Sequence, residues 1–272
     1  MILLALLLSG GLWEQAELWR QDGQPLQIDL DQRLAAKRLF SELLAGAPAG
    51  VLPADLDTRA ATLGLQVQIG LDRVILHGPG GIFAVHLGDP ERPPLVLQAP
   101  HAWYDYKTGR IASALFDEGV PRALFLNGGQ RYGGNGQDDP AFDLAHNHDT
   151  LYQAATLGAA AGLEDPLFVQ LHGFTSRSSK DVAVVSRGSA LEPLGLRDLA
   201  IADLSGLLGF LGSVGTGEDN WRLAARDNAQ GQALSGQARF LHLELGKQAR
   251  RELADDPELR AAFGALMLGW TR

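Results

Sequence analysis

A chain of 272 residues, 46% hydrophobic and 20% charged, can bury a large core and has the balance of a globular protein, not of a disordered or fibrous one. Its formal charge of -9 and its scattered Lys and Arg argue against a nucleic-acid partner, which needs a basic stripe. The lack of cysteine removes disulfides, thiolate metal sites, iron–sulfur clusters and thiol nucleophiles together, so any metal site must use His and carboxylates.

Residues 1–8 are apolar and are followed by Ser9, Gly10 and Gly11. Their length suits the core of an export signal and is too short to span a bilayer, although no Lys or Arg precedes them and no A-x-A site follows. They are read as a residual export signal over 1–10, which points to the periplasm or to secretion. The alternative is an apolar helix packed on the domain of a cytoplasmic protein. No later run of 18 apolar residues occurs, so stable membrane insertion is not expected.

Residues 12–44 carry apolar side chains at helical spacing, among them Leu34, Leu39, Leu43 and Leu44, and the Gly- and Pro-containing stretch 45–50 breaks the pattern. Residues 1–60 are therefore expected to form an N-terminal helical segment ahead of an α/β domain at 61–272. With no linker-like cluster of Gly and Pro, a single domain is expected. Three short runs, 64–69, 73–77 and 81–87, read as strands of a meander at the edge of a sheet. His77 and His86 lie within them and are read as structural or surface residues.

From residue 95 onward strands and helices alternate, which is an α/β pattern with a central mixed, mostly parallel sheet flanked by helices. The apolar run 95–99 stops at Pro100, and the next residues supply His101, Trp103, Tyr104 and Asp105. A helix at 111–116 and a strand at 121–127 follow, the strand ending at Asn127, with Arg131 and Tyr132 in a Gly-rich loop from 128 to 136. Asp143, His146, His148 and Asp149 form the densest polar cluster and open a helix that Asp149 or Thr150 would cap. The strand at 167–171 ends at His172 and Gly173. Further on come a strand at 181–186, a helix at 196–211 and a polar loop holding Asn228 and Gln230, read as plausible substrate contacts. The last strand, 238–245, puts Phe240, His242 and Glu244 on one face, and a glutamate on so apolar a strand needs a partner or a purpose.

Strand ends thus carry His101 with Asp105, His172, and Glu244. Two imidazoles and a carboxylate match the donor set of a catalytic Zn²⁺, and a further carboxylate suits the base that deprotonates water and then protonates a leaving amine. The segments Ala99-Pro100-His101, Asn127 to Arg131, Val169 to Gly173 and Phe240 to Glu244 occur in an order that resembles the zinc carboxypeptidase clan, nearest to its N-formylglutamate amidohydrolase and poly-γ-glutamate hydrolase branches. The resemblance covers roughly residues 95–255. It implies Zn²⁺ held by His101, His172 and Asp105, Glu244 as general acid/base, and Arg131 with Asn127 holding a substrate carboxylate. The clan has its carboxylate ligand three residues after the first His, where this sequence has Tyr104 and then Asp105. His146 is a rival third ligand, an oxyanion stabiliser or a helix cap, and Asp143 would orient His146 or His101 from behind.

The activity implied is zinc-dependent hydrolysis of an amide bond in a small molecule or peptide that bears a carboxylate. No G-x-S-x-G nucleophile elbow and no G-x-G-x-x-G fingerprint occurs. The competing readings are a phosphate-monoester hydrolase and a non-catalytic periplasmic binding protein of the same fold.

Overall fold

The computed structural model describes residues 11–20, 27–129, 131, 141–175, 179–188 and 195–272. The residual export signal expected at 1–10, Tyr132 and the Gly-rich loop apart from residues 128, 129 and 131 lie outside them. Short aliphatic runs bounded by Gly, Asp and Pro form the strands β1 (Gln66–Ile69), β2 (Arg73–Gly78), β3 (Gly81–His86), β4 (Leu95–Ala99), β5 (Ala123–Leu126), β6 (Leu167–Phe174), β7 (Ala183–Ser186), β8 (Val214–Thr216) and β9 (Arg239–Gly246). They make one nine-stranded sheet in the order β1-β2-β3-β5-β4-β6-β9-β7-β8.

The meander β1-β2-β3 is antiparallel because its tight turns allow nothing else, and it joins the rest through an antiparallel β3–β5 pair. At the centre β5, β4, β6 and β9 run parallel; β7 is antiparallel to β9, and β8 is parallel to β7. The sheet is mixed, as expected. Parallel pairing is concentrated in its middle and makes up four of the eight pairings, not most of them.

The helices are α1 (Leu12–Trp19), α2 (Leu30–Gly46), α3 (Leu56–Thr62), α4 (Thr108–Asp117), α5 (Leu151–Gly162), α6 (Leu196–Leu208), α7 (Ala229–Leu234), α8 (Lys247–Asp255) and α9 (Pro257–Gly269). Side chains of α1, α4, α6, α8 and α9 share one core with one face of the sheet, and α2, α3, α5 and α7 share a second core with the other face. Asp29 starts α2 with a capping box to Gln32, worth about 1 kcal/mol. Leu39, Phe40, Leu43 and Leu44 then bury one stripe of α2, at about 1.5–3 kcal/mol for each side chain. Gly158 lets α5 approach closely, since a Cβ there would lie 2.6 Å from the Lys37 carbonyl oxygen. The N-terminal helices therefore pack on the sheet, α1 in the first core and α2 and α3 in the second. Among the described residues no helix is long and apolar enough to cross a membrane.

Strand alternation decides where the polar residues go. On β4, β6 and β9, Leu95, Leu97, Leu167, Val169, Leu171, Leu241, Leu243 and Leu245 point into the first core. The opposite face changes character along the strands: Val96, Phe168 and Phe240 lie in the second core, then come Gln98, Gln170 and His242, and then His172 and Glu244. Apolar packing gives way to buried amides and finally to ionisable groups at the carboxyl ends of the parallel strands, where α/β sheets place their ligand sites.

Two departures from the sequence reading bear on the site. Residues 229–234, expected as part of a polar loop, form α7, with Asn228 as its N-cap accepting from Gly231 N at 2.8 Å. The strand expected to stop at Leu171 runs on to Phe174, so His172 stands within β6 and not beyond it.

Candidate metal centre

Beyond Pro100 the chain folds into a tight turn in which the His101 carbonyl accepts from Tyr104 N at 3.0 Å and from Asp105 N at 2.8 Å. Closure onto the fourth residue is helix-like, and it brings side chain i+4 back beside side chain i. Hence Asp105, and not residue 104, meets His101. Asp105 Oδ2 lies 3.5 Å from His101 Nδ1 and 3.4 Å from His172 Nδ1, and it accepts from Gly173 N at 3.0 Å. All three side chains are buried, and the two imidazoles meet edge to face with centroids 4.8 Å apart.

The far nitrogens of both rings are engaged. His101 Nε2 lies 2.9 Å from Asp143 Oδ1, and His172 Nε2 lies 2.9 Å from Gln170 Oε1. Both partners are acceptors, which assigns the ring protons to Nε2 and leaves the Nδ1 lone pairs facing Asp105. His101 Nδ1 is buried without a hydrogen-bond partner. Ligands about 2.0–2.1 Å from a tetrahedral zinc sit about 3.3–3.4 Å from one another, and the two distances from Asp105 Oδ2 to the imidazole Nδ1 atoms match that spacing, with all three ligand atoms within 4.8 Å of one another. Asp143 and Gln170 occupy the positions, relative to the rings, that the hydrogen-bond partners of metal-bound histidines ordinarily take.

The electrostatics of the ion-free protein distinguish the two imidazoles. Burial opposes charge on His101, but Asp105 and Asp143 outweigh it and raise its pKa. At His172 burial wins and lowers the pKa to about 4, with the neighbouring His101 adding to the effect. Burial opposes charge on Asp105 and Asp143 too, yet the histidines, and Arg131 at Asp143, hold both carboxyls well below the usual range.

Glu244 lies opposite His172 in the parallel β6–β9 register, and His242 lies opposite Gln170. The Glu244 side chain is only 12% exposed, its Oε1 is 3.8 Å from His242 Nε2, and its Oε2 has no hydrogen-bond partner. Burial, followed by the charge of Asp105, raises its pKa to about 8. Burial and then His172 depress His242, whose Nδ1 is 3.5 Å from Ser186 Oγ. His172, His242 and Glu244 offer ligand atoms within 4.8 Å of one another, as do His101, Asp105 and His172.

A cleft of about 300 Å³ opens onto these groups, walled by Tyr104, Arg131, His146, Arg222 and Asn228 among others. Asp143 ties much of the wall together: its Oδ2 is 3.0 Å from Arg131 Nη2 and 3.0 Å from His146 Nδ1. The Arg131 guanidinium lies 5.6 Å from the centre of the Tyr104 ring.

Of the residues singled out in the sequence, His101, Asp105 and His172 converge, and Glu244, Arg131 and His146 line the same cleft. His146 is half-exposed and belongs to neither group of clustered ligand atoms. Asn127 is buried and is not among the residues that line the cleft; its Oδ1 accepts from Gly129 N at 2.9 Å. Gln230 is fully buried among other amides, away from the cleft.

Four residues at or beside the cleft were given no role by the sequence reading. His242 could have been found from its place two residues before Glu244 on one strand face. Tyr104 follows from the turn that returns Asp105. Arg222 carries no local signal. Arg250 of α8 is buried and donates to the Phe174 carbonyl at 2.9 Å; a Cβ at position 173 would lie 1.8 Å from its Nη1, so the glycine after His172 makes room for this guanidinium.

Comparison with solved structures finds an N-formylglutamate amidohydrolase from Ralstonia eutropha JMP134 (14% identity, 70% of this chain and 96% of that one, TM-score 0.45). It also finds a bacteriophage poly-γ-glutamate hydrolase (15% identity, 65% and 83%, TM-score 0.42) and a succinylglutamate desuccinylase from Vibrio parahaemolyticus (12% identity, 75% and 76%, TM-score 0.47). The first two bear the names of the branches that the sequence resembles. No family model and no curated protein matches the chain. Likenesses this distant carry no functional argument, which rests on the side chains themselves.

Proposed function

We propose that the chain is a zinc-dependent hydrolase of C–N amide bonds, acting on a small amide or peptide that carries a carboxylate. The observation that carries this reading is the convergence of His101 Nδ1, His172 Nδ1 and Asp105 Oδ2, with both imidazole N–H groups turned outward to acceptors. A Zn²⁺ held by these atoms supplies a Lewis acid at the floor of the cleft.

The remaining roles fall to the chain. Glu244, nearly buried beside that floor, loses its proton more readily with a cation close by; as a carboxylate it takes a proton from the attacking water and delivers it to the departing amine nitrogen, returning to its starting state. Arg131 and Arg222 in the cleft wall offer planar guanidiniums suited to bidentate capture of a substrate carboxylate. Asp143 holds Arg131 in position. The cleft's volume is at the small end for ligand pockets and favours a compact substrate. Acyl-amino acids, peptide C-termini and γ-linked glutamates all present the required amide near a carboxylate.

The test is a panel of N-acyl amino acids, matched amides without the carboxylate, and phosphate monoesters, offered to the Zn²⁺-supplemented chain. Turnover of the carboxylate-bearing amides is expected, with Glu244→Gln lowering it by about 10²–10⁴-fold at unchanged metal content. Cleavage of phosphate monoesters alone, or full turnover by Glu244→Gln, would overturn the proposal.

A further inference from the structure

Beneath the cleft lies a layer of buried amides that the reaction does not use. Gln98, Gln153, Gln170, Asn228 and Gln230 are all buried, as is Thr156. Gln170 stands at the centre: its Oε1 accepts from Asn228 Nδ2 at 2.6 Å and faces His172 Nε2, while its Nε2 donates to Gln98 Oε1 at 3.1 Å and to Gln230 Oε1 at 3.2 Å.

A side-chain amide can ordinarily be turned over with little penalty, exchanging its oxygen for its nitrogen. Here every branch ends on a backbone group that has only one role. Gln98 donates to Thr156 Oγ1 at 2.8 Å, and that hydroxyl donates to the Tyr152 carbonyl at 2.9 Å. Gln230 donates to the Leu144 carbonyl at 2.9 Å and to Gln153 Oε1 at 2.8 Å, and Gln153 donates to the Ala229 carbonyl at 3.3 Å. Asn228 Oδ1 is committed to Gly231 N as the cap of α7. Turning Gln170 over would set its oxygen against those of Gln98 and Gln230 and its amino group against that of Asn228. Buried contacts of that kind cost about 1–3 kcal/mol for each group left unsatisfied. The network therefore has one direction.

We infer that Gln170 is a positioning residue: with its oxygen locked toward β6, it holds His172 as the Nε2–H tautomer and keeps Nδ1 as an electron pair aimed at the metal position. The inference rests on the proposed metal site for the use made of that lone pair, but the tautomer is a property of the ion-free chain. Without the lock, a neutral His172 could shift its proton to Nδ1 and hydrogen-bond Asp105, closing the site against a cation. The arrangement also explains why a strand interior otherwise given to aliphatic residues carries glutamines at 98 and 170.

The experiment uses the full chain labelled with ¹⁵N-histidine, ion-free and near neutral pH, with the tautomer read from long-range ¹H–¹⁵N couplings and His172 assigned by its loss in His172→Gln. Zn²⁺ affinity is measured by chelator competition on the same proteins. His172 is expected as the Nε2–H tautomer in the native chain. Gln170→Leu should redistribute it toward Nδ1–H and weaken Zn²⁺ binding by about 10–100-fold. Gln98→Leu cuts the same network one residue further off, where Asn228 and Gln230 still hold Gln170, and should keep both the tautomer and the affinity. An Nδ1–H tautomer in the native chain would overturn the inference even if Gln170→Leu failed to fold. So would unchanged Zn²⁺ affinity in a folded Gln170→Leu, or equal losses in the two variants. A native chain that binds no Zn²⁺, yet shows the Nε2–H tautomer and loses it in Gln170→Leu, would remove the metal reading and leave the positioning role standing.

Discussion

The protein buries two pairs of histidines in contrasting ways. His77 on β2 and His86 on β3 lie in the antiparallel limb, each stacked on an aromatic ring: Trp19 at 4.1 Å and Phe116 at 4.0 Å. His86 directs Nε2 to the Phe116 carbonyl, and burial depresses both pKa values. His101 and His172, at the carboxyl ends of the parallel strands, are equally buried but share one carboxylate oxygen between them. Burial alone makes a histidine neutral and part of the core. A shared carboxylate, with both N–H groups turned outward, is the arrangement on which the proposed metal site rests.

The sharpest way to break this contrast is to remove the shared oxygen. Asp105→Ala is expected to take metal uptake and amide turnover to background, whereas an unaltered metal content would place the site elsewhere. Next in size is a stability effect at Glu244. Its pKa in the folded, ion-free chain is about 8 against an ordinary value of 4.5, so the folded state keeps a proton that the unfolded state releases. Stability therefore falls as pH rises from about 4.5 to about 8, and Glu244→Gln abolishes that loss. The ion-free variant should exceed the native chain in stability by a margin that grows across this window to several kcal/mol, as read by denaturant titration at several pH values; a margin independent of pH would contradict the buried carboxyl.

Asp143→Ala tests the orienting partner and should weaken Zn²⁺ binding by about 10–100-fold while raising KM for carboxylate-bearing substrates, because His101 and Arg131 both lose their hold. His86→Phe is the control from the other pair. It should cost about 1–2 kcal/mol or less in stability, through the lost bond to Phe116, and leave metal affinity unchanged. A metal defect in His86→Phe would mean that the two regions are not separate.

The sequence exposed those parts of the fold and site that obey short-range rules. The meander, the strand before Pro100, the cap at Thr150, and the alternation that pairs Glu244 with His242 all follow from spacing and turn chemistry. Asp105 was harder, because its distance from His101 matters only once the turn closes on the fourth residue. The amide layer was invisible: α7 is six residues long and turns Gln230 inward where a hydrophobic pattern would require an aliphatic side chain. The position of Asn127 after β5 suggests an active-site residue, but the sequence does not show that its oxygen accepts from Gly129 N in a local turn. Arg222 reaches the cleft from a distant 3₁₀ turn, a relation that only tertiary packing creates.

The central claim is that His101, Asp105 and His172 form a cation site. Metal analysis of the chain purified without chelator, combined with thermal melting before and after addition of Zn²⁺, tests it most directly. The account predicts about one tightly held Zn²⁺ per chain, and a melting temperature that drops on chelation and recovers on re-addition. A chain with no bound zinc and a melting temperature indifferent to added Zn²⁺ would contradict it.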